Sequence, residues 1–176
     1  MGLWKQIVGA TREVSNYRER LITSREADQA RKVFQATLPY GAIWLSNGLG
    51  FGQRPYAIPH PTRWGSYLIH FGPADFDNVV GTIAAERSFI HELTHVWQGH
   101  NSRFPFGYIF NSIWHQAAAG GGAYSYTVGK AWSEYNCEQQ GNIVRDWWSP
   151  NQNSIGGKQS DPRFRYIRDN IRGLQS

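Results

Sequence analysis

The stretch Thr82–His100 carries His91-Glu92-Leu93-Thr94-His95, two histidines four residues apart with a glutamate directly after the first. Residues four apart share one face of an α-helix. One helix can therefore offer two imidazole nitrogens to a metal ion and hold a carboxylate beside them as a general base. On a helical wheel Ile83, Phe89, Ile90, Leu93, Val96 and Trp97 fall within less than half of the circle, the stripe that a core-facing helix needs. His91, Glu92 and His95 project away from that stripe, on the side where Ala84 and Ser88 leave room. The histidines are thus expected to face a cleft. Glu86 falls inside the apolar arc and requires a partner there.

Outward from this helix, 176 residues suit a single domain over 1–176, large enough to bury a core without disulfides. The hydrophobic fraction of 40% and charged fraction of 18% are those of a folded protein and exclude wholesale disorder. Eight tryptophans within an aromatic fraction of 15% are more than a core of this size needs, which puts some on a binding surface. Cys137 is the only cysteine, so no intrachain disulfide can form. A small buried side chain is its expected role, with thiolate ligation as the alternative.

A net charge of +5 fits an anionic envelope or an acidic protein as partner. Its basic residues are dispersed and no nucleic-acid motif accompanies them, so nucleic acid is not indicated. Met1 to Gln6 lacks the apolar core of a signal peptide, Gln6 stands where a myristoylation site wants Ser or Thr, and no run approaches a membrane span. The chain is expected to be made in the cytoplasm and, if exported, to use a route without a cleavable signal.

Residues 1–24 give no clear periodicity. Helix is expected from Arg25 to about Ala36, opened by Thr23 and Glu26 as a capping box and striped by Ala27, Ala30, Val33 and Phe34. Short β-prone runs follow at Ala42–Leu45, Tyr56–Ile58 and Tyr67–Phe71, with the Gly48–Gly52 link read as a turn. Three strands before the motif helix suggest a small, mostly antiparallel sheet packed against it. Its edge strand could grip an extended peptide by main-chain hydrogen bonds. The aromatic run Phe104–Phe110 is either a hydrophobic loop over the cleft or packing beneath a second helix, and Gly120-Gly121-Gly122 marks a mobile connection.

A second helix is expected from Trp132 to Trp148, closed by Ser149-Pro150, with Glu134, Glu138, Asn142 and Arg145 on its polar side and Cys137, Val144 and Trp148 on the other. A catalytic zinc usually has three protein ligands plus water. The third here is expected from this helix, and spacing leaves both Glu134 and Glu138 open. Asp161-Pro162 opens a short C-terminal docking helix within 161–176, with Phe164, Ile167 and Ile171 on one face and Arg163, Arg165, Arg168 and Arg172 forming a solvated basic face. The fold class is α+β, mainly helical, with the small sheet against the motif helix.

The run His91-Glu92-Leu93-Thr94-His95-Val96-Trp97-Gln98, followed by Tyr135-Asn136-Cys137-Glu138-Gln139-Gln140 and Ile143-Val144-Arg145-Asp146-Trp147, resembles the zinc metallopeptidase domain of type VI secretion VgrG spike proteins and related effectors. The resemblance implies a minimal gluzincin-like metallopeptidase with one Zn2+ per chain. His91, His95 and Glu138 would be its ligands, Glu138 following His95 by 43 residues, and Glu92 its general base. It also implies delivery by a type VI-like apparatus into a target cell or its periplasm, as an antibacterial or host-directed toxin. Partners would be a protein or peptide substrate, an apparatus spike and an immunity protein. Candidates for stabilising the oxyanion are Arg145, Tyr124 and Tyr126, with His100 and His115 behind them, and Glu134, Asp146 and Gln98 could support the histidines. The competing reading is a catalytically silent, metal-holding adaptor of a contractile injection apparatus, against which Glu92 speaks, since a structural site has no use for a base.

Overall fold

A computed structural model describes residues 16–49, 53–101, 124–151 and 153–173. Expectations that fall on residues 1–15, on 50–52 and on the Phe104–Phe110 and triple-glycine segments, His115 included, lie outside the described residues.

Four short strands form one mixed sheet: β1 (Glu19–Leu21), β2 (Ile43–Ser46), β3 (Tyr56–Pro59) and β4 (Tyr67–His70), in the order β1-β2-β4-β3. The outer pairings β1–β2 and β3–β4 are antiparallel, but the central pair β2–β4 is parallel. Two of the three ladders are antiparallel, as expected of a mostly antiparallel sheet, while the fourth strand and the parallel central pair depart from the expectation. The added strand, Glu-Arg-Leu, is too short and too charged to show a period-2 pattern. Its charges are used locally: Arg20 reaches Glu26, and Glu19 lies 3.2 Å from His60 Nε2.

The helices pack on one face of the sheet. Helix α1 (Ser24–Phe34) opens with the expected capping box: Glu26 Oε2 accepts from the Thr23 amide at 2.7 Å, and Thr23 Oγ1 from the Glu26 amide at 3.3 Å. Glu26 is 2% exposed and also takes a fork of two hydrogen bonds from Arg20, at 2.8 and 2.7 Å, joining β1 to α1. Helix α2 (Ile83–Asn101) carries the histidine motif, with Thr82 Oγ1 accepting from the Ala85 amide in its first turn. Its apolar arc is the core: Phe89, Ile90, Leu93 and Val96 are fully buried against Ile43, Leu45, Ile69 and Phe71. Glu86 finds its partner in Trp148, whose indole N–H donates to Glu86 Oε1 at 2.9 Å. None of the described helices is long and apolar enough to cross a membrane.

The second helix differs from its expected span. A 3-10 turn covers Trp132–Glu134, the chain then turns extended, and α3 (Cys137–Trp148) starts afresh with Asn136 as its cap. Asn136 Oδ1 accepts from the Gln139 amide at 2.9 Å while Gln139 Oε1 accepts from the Asn136 amide at 3.1 Å. At the C-terminus α4 (Phe164–Tyr166) passes directly into a π-helical turn, Ile167–Ile171, with Ile167 and Ile171 in the core. Most of the expected solvated basic face is tied down. Arg163 pairs with Asp161 at 2.7 Å, and Arg168 bonds Asp169. Arg165 reaches the Lys130 carbonyl at 2.8 Å, and Arg172 caps the end of α1 through the Val33 and Lys32 carbonyls at 3.1 and 2.8 Å.

Thr23→Ala is expected to cost about 1 kcal/mol in urea denaturation. Arg20→Met should cost more, about 3 kcal/mol, because it strands a buried carboxylate. Burial alone would raise the Glu26 carboxyl, but the hydrogen bonds from Arg20 and from Thr23 hold it below its ordinary value. Its contribution is therefore complete above the ordinary carboxylate range and is lost as pH falls through the lower folded value. A wild-type advantage over Arg20→Met that failed to shrink on acidification would refute this assignment.

Candidate metal centre

Helix α2 contributes His91 and His95, one turn apart, and the first turn of α3 contributes Glu138 from the facing side. Their ligand atoms all lie within 4.8 Å of one another. His91 Nε2 is 3.1 Å from His95 Nε2 and 3.2 Å from Glu138 Oε2, and His95 Nε2 is 3.5 Å from Glu138 Oε1. Ligand bonds of about 2.0–2.1 Å at tetrahedral angles put neighbouring donor atoms about 3.3 Å apart, and each histidine nitrogen lies close to that distance from the other and from one of the two Glu138 oxygens. Two neutral imidazoles and one carboxylate are also the donor set that zinc prefers. The residues fit the ion. Glu138 is 1% exposed, whereas the histidine side chains keep 12% and 10%, so the remaining access is on the histidine side.

The electrostatics follow from this convergence. Burial alone would raise the Glu138 carboxyl, but the His95 and His91 imidazoles outweigh it and hold it far below the usual range. Burial would lower His95, yet the Glu138 carboxylate pushes it up to about 9. The site thus favours a cation among its donors, and a divalent metal supplies that charge without protonating the imidazole.

Glu92 sits on α2 beside the histidines, buried at 6% exposure. Burial raises its carboxyl, with the two imidazoles opposing and the Ala57 backbone N–H acting on it from β3. Its Oε2 has no hydrogen-bond partner among the described residues. A carboxylate held in place, desolvated and with one oxygen uncommitted is suited to take up a proton.

The remaining sequence candidates separate. Tyr124 stays near the centre: burial raises its phenol, and it feels the Glu138 and Glu92 carboxylates and a contact from Arg54. Tyr126, Asp146 and Arg145 belong instead to one another. Tyr126 donates to Asp146 Oδ2 at 3.0 Å, while Arg87 and Arg145 reach Asp146 Oδ1 at 3.0 and 2.8 Å. Glu134 is exposed and closes its own 3-10 turn by accepting from the Ala131 amide at 2.7 Å. The extended residue Tyr135 between the 3-10 turn and α3 takes it off the helix that carries Glu138. Gln98 does meet a histidine: its Oε1 accepts from His95 Nδ1 at 2.8 Å. Cys137 is buried and lies outside the convergent triad.

One contributor escaped the sequence reading, and a second was read as a strand without its hydrogen-bonding phase. A Cβ on Gly141 would stand 2.7 Å from His91 Cε1 and 2.9 Å from Nδ1, so the His91 ring lies directly on α3 where only glycine fits. The signal available was a lone glycine inside a helical pattern, three residues after a candidate ligand. The second is β3, the edge strand beside Glu92. The bond from the His60 amide to the Ser66 carbonyl, 2.8 Å, fixes the phase of the β3–β4 ladder, so Tyr56, Ile58 and His60 turn toward β4 while Ala57 and Pro59 turn outward. Pro59 has no N–H, nor do Pro55 and Pro61 at the same phase. The rim therefore offers mainly carbonyl acceptors, a narrower main-chain grip than the sequence suggested.

No family model matches the sequence. Among curated proteins the chain is 36% identical over 87 residues to the type VI secretion system spike protein VgrG2b of Pseudomonas aeruginosa, a match over 47% of this chain and 8% of that protein's length. Among solved structures the fold matches the effector domain of Pseudomonas aeruginosa VgrG2b with a TM-score of 0.52 and 27% identity, covering 73% of this chain and 72% of that one. The chain is homologous to that effector domain.

Gly141→Ala tests the close approach. Alanine is the better helix former by about 1 kcal/mol, so α3 itself should not suffer. The methyl group should displace the His91 ring and weaken zinc binding by about ten-fold or more, measured by competition with a chromogenic chelator. Unchanged zinc affinity would show that the ring has room to yield.

Proposed function

We propose that the chain is a zinc-dependent metallopeptidase that acts as an effector of a type VI secretion system. The observation that supports the chemistry best is the meeting of His91, His95 and Glu138 at zinc-like spacings with the buried Glu92 beside them. The delivery half of the proposal rests on homology to the VgrG2b effector domain.

In this reading His91, His95 and Glu138 hold one Zn2+, which when bound supplies a more acidic water and a polarised scissile carbonyl. Glu92 takes the water proton and passes it to the leaving amine, its raised basicity matched to carrying that proton. Tyr124 is the nearest of the sequence candidates to support charge developing on the carbonyl oxygen. A peptide approaching β3 would donate its own N–H groups to the Ala57 and Pro59 carbonyls. The substrate class is protein or peptide, and the setting a target cell or its periplasm.

Purified wild type is expected to hold about one zinc per chain, and Glu138→Ala to lose it while Glu134→Ala keeps it. Glu92→Gln should retain the metal and the fold but cleave no peptide in a casein or peptide-library digest. Metal-free protein should melt lower, with zinc at 100 times its dissociation constant restoring about 2.7 kcal/mol. Peptide cleavage by Glu92→Gln would remove the general-base assignment, and a wild type that binds no zinc would remove the peptidase reading.

A further inference from the structure

We propose that Gln98 and Gln140 form a positioning relay that fixes His95 in its Nδ1–H tautomer and ties it to the backbone carrying Glu138. The three donors would then be arranged before any metal arrives. The inference rests on reading the triad as a metal centre, but its parts are visible independently of an ion.

Both amides are buried, Gln98 at 4% and Gln140 at 3% exposure. Gln98 lies one turn after His95 on α2 and bridges to α3. Its Nε2 donates to the Cys137 carbonyl at 3.1 Å and to Gln140 Oε1 at 2.8 Å, and its Oε1 faces His95 Nδ1 at 2.8 Å. Gln140 Nε2 in turn donates to the Trp132 and Tyr135 carbonyls at 3.0 and 3.3 Å. Backbone carbonyls only accept, so the polarity of the whole chain is fixed from its far end. With Gln140 Nε2 committed to two carbonyls, its Oε1 must face Gln98. The Gln98 amide must then present nitrogen to Gln140 and Cys137, which leaves its oxygen for His95.

Reversing the Gln98 amide would set its oxygen against two oxygens, the Cys137 carbonyl and Gln140 Oε1. His95 is thereby required to donate from Nδ1, which leaves Nε2 as the nitrogen directed at His91 and Glu138 and free to bind a metal once its own proton is displaced. The same amide grips the carbonyl of Cys137, the residue immediately before Glu138. One side chain therefore aligns a ligand from α2 and sets the backbone of a ligand from α3. Neither glutamine carries charge, so the relay orients His95 without adding a third carboxylate to a site that already holds Glu138 and Glu92.

Gln98→Met and Gln140→Met remove the relay at similar volume. Zinc affinity, read by chelator competition, should fall 10–100-fold in Gln98→Met. It should fall by a smaller factor in Gln140→Met, which touches no ligand, and the double variant should be no weaker than Gln98→Met alone, since one broken link disables the chain. Long-range 1H–15N correlation spectra of metal-free protein, taken above the value of about 9 to which Glu138 raises His95 so that the ring is neutral, should show His95 as a single Nδ1–H tautomer in wild type and a mixture in both variants, with circular dichroism confirming that each is folded. If Gln98→Met does not fold, Gln140→Met decides. Wild-type zinc affinity together with an unmixed tautomer in a folded variant overturns the relay. If wild type binds no zinc, the metal reading fails separately and the His95 spectra alone decide the relay.

Discussion

The close approach of α2 and α3 is the constraint on which the site depends. Two helices can bring a histidine pair and a glutamate to one point only if their backbones come nearer than ordinary side chains permit. Gly141 supplies that clearance, since even a methyl group there would collide with the His91 ring. The apolar faces make the approach favourable: Phe89, Ile90 and Leu93 from α2 and Val144 from α3 are fully buried in one core. The sheet then backs α2 from behind through Ile43, Leu45 and Ile69, so the helix that carries both imidazoles is packed on two sides and open on the third.

A protein of this size buries several carboxylates, and each is handled by different means. Glu26 is neutralised by the Arg20 fork and used as a cap, which makes it a structural anchor between β1 and α1. Glu86 accepts from the Trp148 indole, and burial raises its carboxyl. Elsewhere in the sheet His70 is held down to about 4 by burial and shares its Nδ1 with the Ser46 hydroxyl at 2.7 Å. Glu92 differs from all of these because its Oε2 is buried without a partner among the described residues. Leaving a polar atom so costs about 1–3 kcal/mol, a cost that the proton transfer proposed for Glu92 would account for.

How much of this was legible in the chain depended on how local the determinant was. The capping box at Thr23 and Glu26 and the arc of α2 are written within one turn or one helix, and both could be read directly. The pairing of β2 with β4 is non-local, and three charged-to-apolar residues at Glu19–Leu21 carry no period, so neither the parallel ladder nor β1 was visible. The split before α3 was concealed because 3.6-residue periodicity runs smoothly through Tyr135 and Asn136. The Asn136 to Gln139 box was the signal that would have separated Glu134 from Glu138. Gln98 could be named as support for a histidine, but its second partner, Gln140, lies 42 positions on, and no spacing rule connects two amides across helices.

The rim of the cleft shows how one strand can meet opposing demands. An uncovered edge strand invites pairing with other chains, and proline is among the devices that suppress it. Pro59 removes one outward N–H of β3, Pro55 and Pro61 flank the strand without an N–H of their own, and the Ala57 N–H is drawn to Glu92, so a foreign strand finds no alternating ladder to complete. The outward carbonyls remain. A peptide brought to this rim could be held through its own N–H groups near Ala57, next to Glu92, while its carbonyls would have to find donors among side chains. Arg54, exposed immediately before Pro55 and in contact with Tyr124, stands where such a donor is needed. The strand that is closed to sheet extension is thus left open to a single chain that supplies half of the hydrogen bonds itself.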